Sequence, residues 1–377
     1  MPLREKTIVE KRLDAVLMVK AGYSLSEVAR RYEVSRPTLY EWIRRYEDNE
    51  DLTDRSRAPH HCPHRTEEWI QERLIEERRR WKFGSKKILA RLREDEPLIA
   101  WPSRATADAI FQRAGMVQPR RRQRNVHAPS TRPKRQPEAA GDLTTVDFKG
   151  EFRLRNGKYC YPLTVVDAFS RYVIACEALA STQLSTTWNV LRRVFREHGM
   201  PHAIQSDNGV PFGAHGNGRF STLSVRLMRL GIEPIFSRPG KPQDNAAHER
   251  MHLTLKNELI DPARTLVEQQ RRFDDFRQMF NYERPHEGIG MQRPARLYRP
   301  PRRPFPEVLP ELEYEPHFET RLVQSNGMVR WRGEVMFVGR PFAGQQLGFE
   351  PVDLSIWNVH FGSFIVGVLD EKQGRFM

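Results

Sequence analysis

The chain has 377 residues with 62 Lys and Arg against 48 Asp and Glu, a formal net charge of +14. That is enough length for roughly two to four separate cores, and a charge balance that favours a polyanionic partner. No apolar run approaches the roughly 18 residues of a membrane span, Met1 to Lys6 lacks the apolar stretch of a secretory signal, and three cysteines (Cys62, Cys160, Cys176) give no disulfide framework, so a cytoplasmic protein with no membrane partner is expected.

The charge is uneven: residues 1–140 hold 31 Lys and Arg against 21 Asp and Glu. Ile8, Leu13, Val16, Leu17 and Val19 recur at helical spacing and predict a helix over 8–20. After Gly22, Ser24 with Glu27 three residues on marks a new helix start, and Ser35 with Pro37 marks another over 37–46. Short helix, tight turn and short basic helix make the helix-turn-helix layout, whose second helix enters the major groove. Residues 1–50 are therefore expected to bind DNA, with Arg36, Thr38, Tyr40, Arg44 and Arg45 as the contacting side chains. The polar stretch 51–64 reads as a linker, and its run His60-His61-Cys62-Pro63-His64 lacks the spacing of a structural zinc site. Residues 66–118 predict a second helical DNA-binding unit. Residues 119–140, with Arg120, Arg121 and Arg122, form a basic, proline-rich linker suited to tracking phosphates.

Three carboxylates come next, in telling surroundings. Asp147 lies in the β-rich stretch Leu143 to Phe148, Asp207 ends a short strand at Ser206-Asp207-Asn208-Gly209, and Glu249 enters a helix after the breaker run Pro239 to Asn245. Hard divalent cations such as Mg²⁺ take carboxylate oxygens and keep waters for the substrate. Carboxylates from two strand ends and one adjacent helix can hold two such ions about 3.5–4 Å apart, the arrangement for in-line phosphoryl displacement. Around them, 158–166 and 172–178 predict paired strands, 185–198, 223–230 and 266–282 helices, and 233–237 a further strand. On the Glu249 helix, His252, Leu253 and Lys256 share its face. Leu253 is expected to pack, Lys256 to meet a DNA phosphate, His248 and Arg250 to touch the substrate backbone, and Asn245 to order the loop or touch DNA. From Glu313 onward, short alternating stretches predict strands and a small β-barrel over 313–377.

Thr145-Val146-Asp147, Val166-Asp167-Ala168-Phe169-Ser170-Arg171-Tyr172, Ser206 to Gly209, Pro239 to Asn245 with Glu249-Arg250, and Asn281-Tyr282-Glu283-Arg284-Pro285-His286 together resemble, in order, the DDE transposases and integrases. The likeness is to bacterial insertion-sequence transposases with a retroviral-integrase-like core. It departs from the pattern in the 41 residues between Asp207 and Glu249, a surplus assigned to the loop Gly213 to Gly218, and in Ala246 where relatives often carry Gly. The resemblance implies a multidomain fold class: N-terminal all-α helix-turn-helix modules, an α/β ribonuclease-H-like core over 141–300 with a mixed five-stranded sheet, and the small C-terminal β-barrel. It implies that 66–118 is a second helix-turn-helix or winged module with Arg104 and Thr106 opening its recognition helix. It makes Asp147, Asp207 and Glu249 both catalytic and metal-binding, with two Mg²⁺ (or Mn²⁺) ions per active site. Asp167 is the rival carboxylate, and its hairpin position suggests turn geometry. The implied partners are double-stranded DNA, as terminal inverted repeats and target, and further copies of the chain, in a homodimer or larger assembly on the bacterial nucleoid, with no small-molecule substrate. The rivals are a non-catalytic DNA-binding regulator derived from a transposase, and a ribonuclease acting on RNA–DNA hybrids.

Overall fold

The computed structural model describes residues 6–55, 65–117, 136–214, 220–238, 242–259, 261–309 and 311–376. The chain separates into two compact units, Met1–Glu67 and Glu68–Met377.

The first unit is three helices: α1 (Ile8–Lys20), α2 (Leu25–Arg31) and α3 (Arg36–Glu47). Each start is capped by a hydroxyl: Thr7 accepts from the Glu10 N–H, Ser24 from Glu27, and Ser35 from Thr38, each at 3.3 Å. Ala15, Val28, Ala29 and Leu39 form a small core, with Leu25, Trp42 and Ile43 packed against it. Glu33, in the turn between α2 and α3, takes a left-handed φ of 54°, which lets the chain reverse within four residues.

The second unit begins with α4 (Glu68–Trp81), α5 (Ser85–Asp95) and α6 (Arg104–Arg113), closed around Leu74, Ile88, Leu92, Ile110 and Phe111. No strand occurs among the described residues 65–117. The α5–α6 connection closes on itself, with Trp101 Nε1 donating to the Glu96 carbonyl at 3.3 Å, and extends into no hairpin. Helix α5 is fastened to residues 283–296 by ion pairs: Arg91 with Glu283, Arg293 with Glu94 at 3.2 Å and Asp95 at 2.5 Å, and Arg296 with Glu94 at 2.8 Å.

The core is β1 (Leu143–Phe148), β2 (Phe152–Arg153), β3 (Tyr159–Asp167), β4 (Val173–Leu179), α7 (Leu184–His198), β5 (Ala203–Ser206), α8 (Thr222–Arg229), β6 (Glu233–Phe236), α9 (Ala246–Glu258) and α10 (Leu266–Gln278). Strands β4, β3, β1, β5 and β6 lie in that order; β4–β3 and β3–β1 are antiparallel, β1–β5 and β5–β6 parallel. The two-residue β2 runs on from β1 along the same edge of β3. This is the mixed sheet expected. One of its faces meets Val190, Leu191, Val194 and Phe195 of α7 with Leu223 and Leu227 of α8. The other meets Met251 and Leu255 of α9 with Phe273 and Phe276 of α10, so the sheet is buried on both sides.

The C-terminal region is β-rich, but the expected barrel does not form. Strands β7 (Glu319–Leu322), β10 (Gln346–Asp353), β11 (Ile356–Phe361), β12 (Phe364–Asp370) and β13 (Arg375–Phe376) make an antiparallel sheet ordered β13-β12-β11-β10-β7. β8 (Met328–Trp331) and β9 (Glu334–Phe337) pair only with each other. A 3₁₀ turn at Arg340–Phe342 diverts the chain between β9 and β10, so the ladder stays open. Val329, Trp331 and Met336 of the hairpin pack with Phe349, Val359 and Phe361 of the sheet, and the cluster reaches Val225 and Met228 on α8.

Candidate active site

Parallel pairing of β1 and β5 sets Thr145 opposite Gln205. Two residues further along each chain come Asp147 and Asp207, so register alone carries both carboxylates to the same end and side of the sheet. Asp207 has left the strand, and its Oδ1 accepts the Gly209 N–H at 3.1 Å. A Cβ at Gly209 would sit 3.0 Å from Asp207 Oδ2, so a larger residue there would make this carboxylate shift by a few tenths of an ångström.

Glu249 arrives on the first turn of α9, whose start is tied to the strand ends. Gln205 donates through Nε2 to the Asp244 carbonyl at 2.8 Å, and Asn208 Nδ2 donates to the Ser237 carbonyl at 2.7 Å. The buried Asp244 carboxylate accepts from Arg238 Nε at 2.9 Å, Nη2 at 2.6 Å and the Arg238 backbone N–H at 3.1 Å. Asp244 and Arg238 were missed in the sequence. Their signal was an acidic residue held inside a breaker run.

Asp147 feels the charge of both other carboxylates. Burial, then the negative charge of Asp207, then that of Glu249, raise the Asp147 carboxyl from its ordinary 3.8 to about 7, against hydrogen bonding from the Phe148 N–H. Asp147 is half-buried, while Asp207 and Glu249 are exposed. Carboxylate oxygens are the donors a hard divalent ion takes, but among the described residues the ligand atoms of these three are not gathered within 4.8 Å of one another.

Behind Asp147 stand two histidines whose site the sequence did not disclose. His248 and His252 lie one turn apart on α9 and both point inward. His248 accepts from or donates to Thr145 Oγ1 through Nδ1 at 2.7 Å and Thr164 Oγ1 through Nε2 at 2.6 Å. Thr164 Oγ1 also lies 2.7 Å from His252 Nε2 and donates to the Asp147 carbonyl at 3.0 Å. One assignment uses every proton once: both histidines donate through Nε2 to Thr164, Thr164 donates to the carbonyl, and Thr145 donates to His248 Nδ1. It leaves the unprotonated His252 Nδ1 facing Asp147 Oδ2 at 3.8 Å. Burial pushes His252 down to about 3 and His248 well below the usual histidine range, so both are neutral. Ligand atoms of Asp147, His248 and His252 lie within 4.8 Å of one another. Because both His248 nitrogens are already bonded, this set can bind an ion only by giving up its own hydrogen bonds.

Several expected DNA contacts are corrected. His248 is 1% exposed, buried by the inward stripe His248, Met251, His252, Leu255, and cannot reach a substrate backbone. Leu253, expected to pack, is exposed for the same reason. Arg45 is turned into the first unit, where its guanidinium bonds the carbonyls of Asp51 and Thr53. The Thr38 and Thr106 hydroxyls are engaged with Ser35 at 2.8 Å and Ser103 at 3.0 Å at their helix starts. Arg36, Tyr40, Arg44, Arg104, Arg250 and Lys256 are exposed, and Asn245 is half-buried. Arg120, Arg121 and Arg122 lie outside the described residues, as do His60, His61, Cys62 and His64. Asp167 is fully buried as a turn acceptor for the N–H groups of Gly141 and Ser170, both at 2.8 Å, and the Ser170 hydroxyl at 2.6 Å. His286 is held neutral by burial, at about 3, with its ring 4.3 Å from that of Phe280.

Comparison with known proteins gives the same picture. Two families described as integrase core domain match residues 137–242 and 230–294, and a helix-turn-helix domain matches 11–60. An insertion element IS136 protein of Agrobacterium fabrum is 28% identical over 40% of this chain and 78% of its own length. An insertion element IS407 protein of Burkholderia multivorans is 26% identical over 62% of this chain and 82% of its own. An uncharacterized Caenorhabditis elegans protein is 35% identical over 32% of this chain, which spans only 8% of that protein. A solved simian T-cell lymphotropic virus intasome chain aligns over 79% of this chain and 98% of its own, at 15% identity and a TM-score of 0.38. The chain thus carries a helix-turn-helix domain ahead of integrase core domains and is similar to bacterial insertion-element proteins.

Proposed function

We propose that the chain binds the terminal inverted repeats of its element, cuts a DNA strand there, and joins the freed 3′-hydroxyl to target DNA. The observation that carries this reading is the β1–β5 register, which brings Asp147 and Asp207 to one sheet end, with the charges of Asp207 and Glu249 both raising the Asp147 carboxyl. Asp147, Asp207 and Glu249 would hold two Mg²⁺ or Mn²⁺ ions. Such ions, when bound, supply activation of the attacking oxygen and charge stabilisation of the leaving one. The chain's own part is to aim the carboxylates: the β1–β5 register fixes two, and the Gln205–Asp244–Arg238 tie fixes the helix carrying the third. Thr164 and the two neutral histidines hold the floor beneath Asp147 without adding charge.

Recognition of duplex DNA is assigned to α3 through Arg36, Tyr40 and Arg44, with Arg104 of α6 and the basic run around Arg120 following phosphates. Asn245, Arg250 and Lys256 lie on the helix that carries Glu249 or at its start, and are assigned to the backbone near the cut. Two element ends require two active sites, so the working form is a homodimer or larger assembly on DNA in the bacterial cytoplasm. Among the described residues no helix is long and apolar enough to cross a membrane. The test is a strand-cleavage assay with Mg²⁺ on DNA bearing the element's end. Cleavage by the wild type and its loss in Asp207→Asn are expected; undiminished cleavage by that variant would remove Asp207 from the site, and no cleavage by the wild type would favour a regulator with a silent core.

A further inference from the structure

Against the first two turns of α9, on the side carrying Ala246, Ala247, Arg250, Met251 and Thr254, lies a cavity of about 430 Å³ that none of the three carboxylates lines. Its walls carry Lys87 from α5, Arg171 from the β3–β4 turn, Arg250 from α9, and Arg284 and His286 from the segment after α10. The acidic groups facing it are few. Glu287 lines the cavity but is paired with Lys86 at 3.3 Å, and Glu258 stands 3.6 Å from Arg284. Lys87, Arg171 and Arg250 make no ion pair with any acidic group among the described residues.

Such a concentration of positive charge is costly. Burial, then the charge of Arg284, with a smaller push from Arg250, depresses the Lys87 ammonium to about 8 against the opposing pull of Glu287. Burial also lowers Arg171 and Arg284. Lys87 and Arg171, largely buried beside an open volume, lack the ion-paired counter-ion that folded proteins normally supply. The neutral His286 offers a hydrogen-bond donor or acceptor without adding to the repulsion. The polar tips come from four separate parts of the fold, so the cavity is a built feature of the docked helices and core.

We propose that this cavity receives a backbone phosphate of bound DNA, clamped by Lys87, Arg171, Arg250 and Arg284. Arg250 follows Glu249 on α9 but projects about 100° around the helix from it, so the strand gripped here runs along a different side of α9 from the third carboxylate. Lys87 makes α5 part of the DNA-binding surface, giving the helical module a contact with the strand in addition to any at the element's ends. The inference rests on DNA being the substrate, and its test is independent of cleavage.

Full-length wild type, Lys87→Met and Lys87→Gln are titrated with a labelled duplex of arbitrary sequence in EDTA across a salt series, and their thermal unfolding is followed without DNA. Loss of one phosphate contact predicts roughly tenfold weaker binding at moderate salt and a log–log salt slope shallower by about 0.9. The free variants are predicted to melt at or above the wild-type temperature, because an uncompensated cation has been removed. Unchanged affinity and slope overturn the proposal, as does a lowered melting temperature accompanying weaker binding, which marks Lys87 as structural. Inorganic phosphate alone forms a second arm: if it stabilises the wild type but not the variants while duplex binding is unaffected, the cavity serves a free anion and the DNA assignment falls. Failure of the wild type to bind duplex at all overturns both this proposal and the DNA reading, whereas loss of cleavage in Asp207→Asn with these shifts intact leaves the clamp standing.

Discussion

Replacing Asp147 by asparagine should stabilise the metal-free protein while destroying its activity. In the absence of cations the Asp147 carboxyl is raised from 3.8 to about 7 by burial and by the charges of Asp207 and Glu249. A group whose folded value lies above its unfolded one binds its proton more tightly when folded. Its stabilising effect is therefore complete below about pH 4 and lost as pH rises through about 7. Three pH units of separation correspond to about 4 kcal/mol at most, reduced by solvent reaching a carboxylate that is 20% exposed. Asp147→Asn keeps the shape and removes the titration. In EDTA at pH 8 it should melt several degrees above the wild type, and the difference should shrink as pH falls toward 4. Mg²⁺ should raise the wild-type melting temperature and leave the variant's nearly unchanged. Thermal unfolding by circular dichroism across pH reads all of this. A wild type and variant that melt together at pH 8, or a gap that widens toward acid, would refute the convergence of charges on Asp147.

Thr164→Val removes the hydroxyl shared by His248 and His252 and should lower stability by about 2 kcal/mol, with Thr164→Ser restoring it, as read by denaturant unfolding. Arg44→Ala should cost under about 0.5 kcal/mol of stability but weaken duplex binding, since its pair with Glu41 is exposed. Arg45→Ala should do the reverse first, destabilising the helix-turn-helix unit by about 1–3 kcal/mol through its lost bonds to the Asp51 and Thr53 carbonyls. Leu191→Ala, at a fully buried position of α7, should lower stability by about 2–5 kcal/mol without altering the cation dependence of the protein that stays folded.

The parts of the fold legible in the sequence were those set by period. The helices α1 to α3, with hydroxyl caps and apolar residues at helical spacing, lie where those signals put them, and the alternating stretch around Asp147 is the strand expected. Register was harder. That Asp147 and Asp207 share a sheet end depends on the parallel pairing of Thr145 with Gln205, which neither strand states by itself. On α9 the face was counted from Glu249, although Met251 and Leu255 set the buried stripe, and that stripe takes in His248 and His252 while leaving Leu253 outside. Arg45 was assigned to the DNA side with its basic neighbours, yet it stands three residues beyond Trp42 and six beyond Leu39, on the inward side of α3. The barrel failed for another reason. Alternation predicts strands, but closure is a matter of which edges pair, and the turn at Arg340–Phe342 sends β9 away from β10. The basic cavity was invisible because Lys87 and Arg284 lie almost two hundred residues apart.

The most direct test of the central claim is a crystal of the full chain soaked in MnCl₂ and measured for anomalous scattering. The account predicts manganese bound by the carboxylates of Asp147, Asp207 and Glu249 together. A peak held instead by Asp147, His248 and His252, or none at these residues under saturating metal, would contradict it.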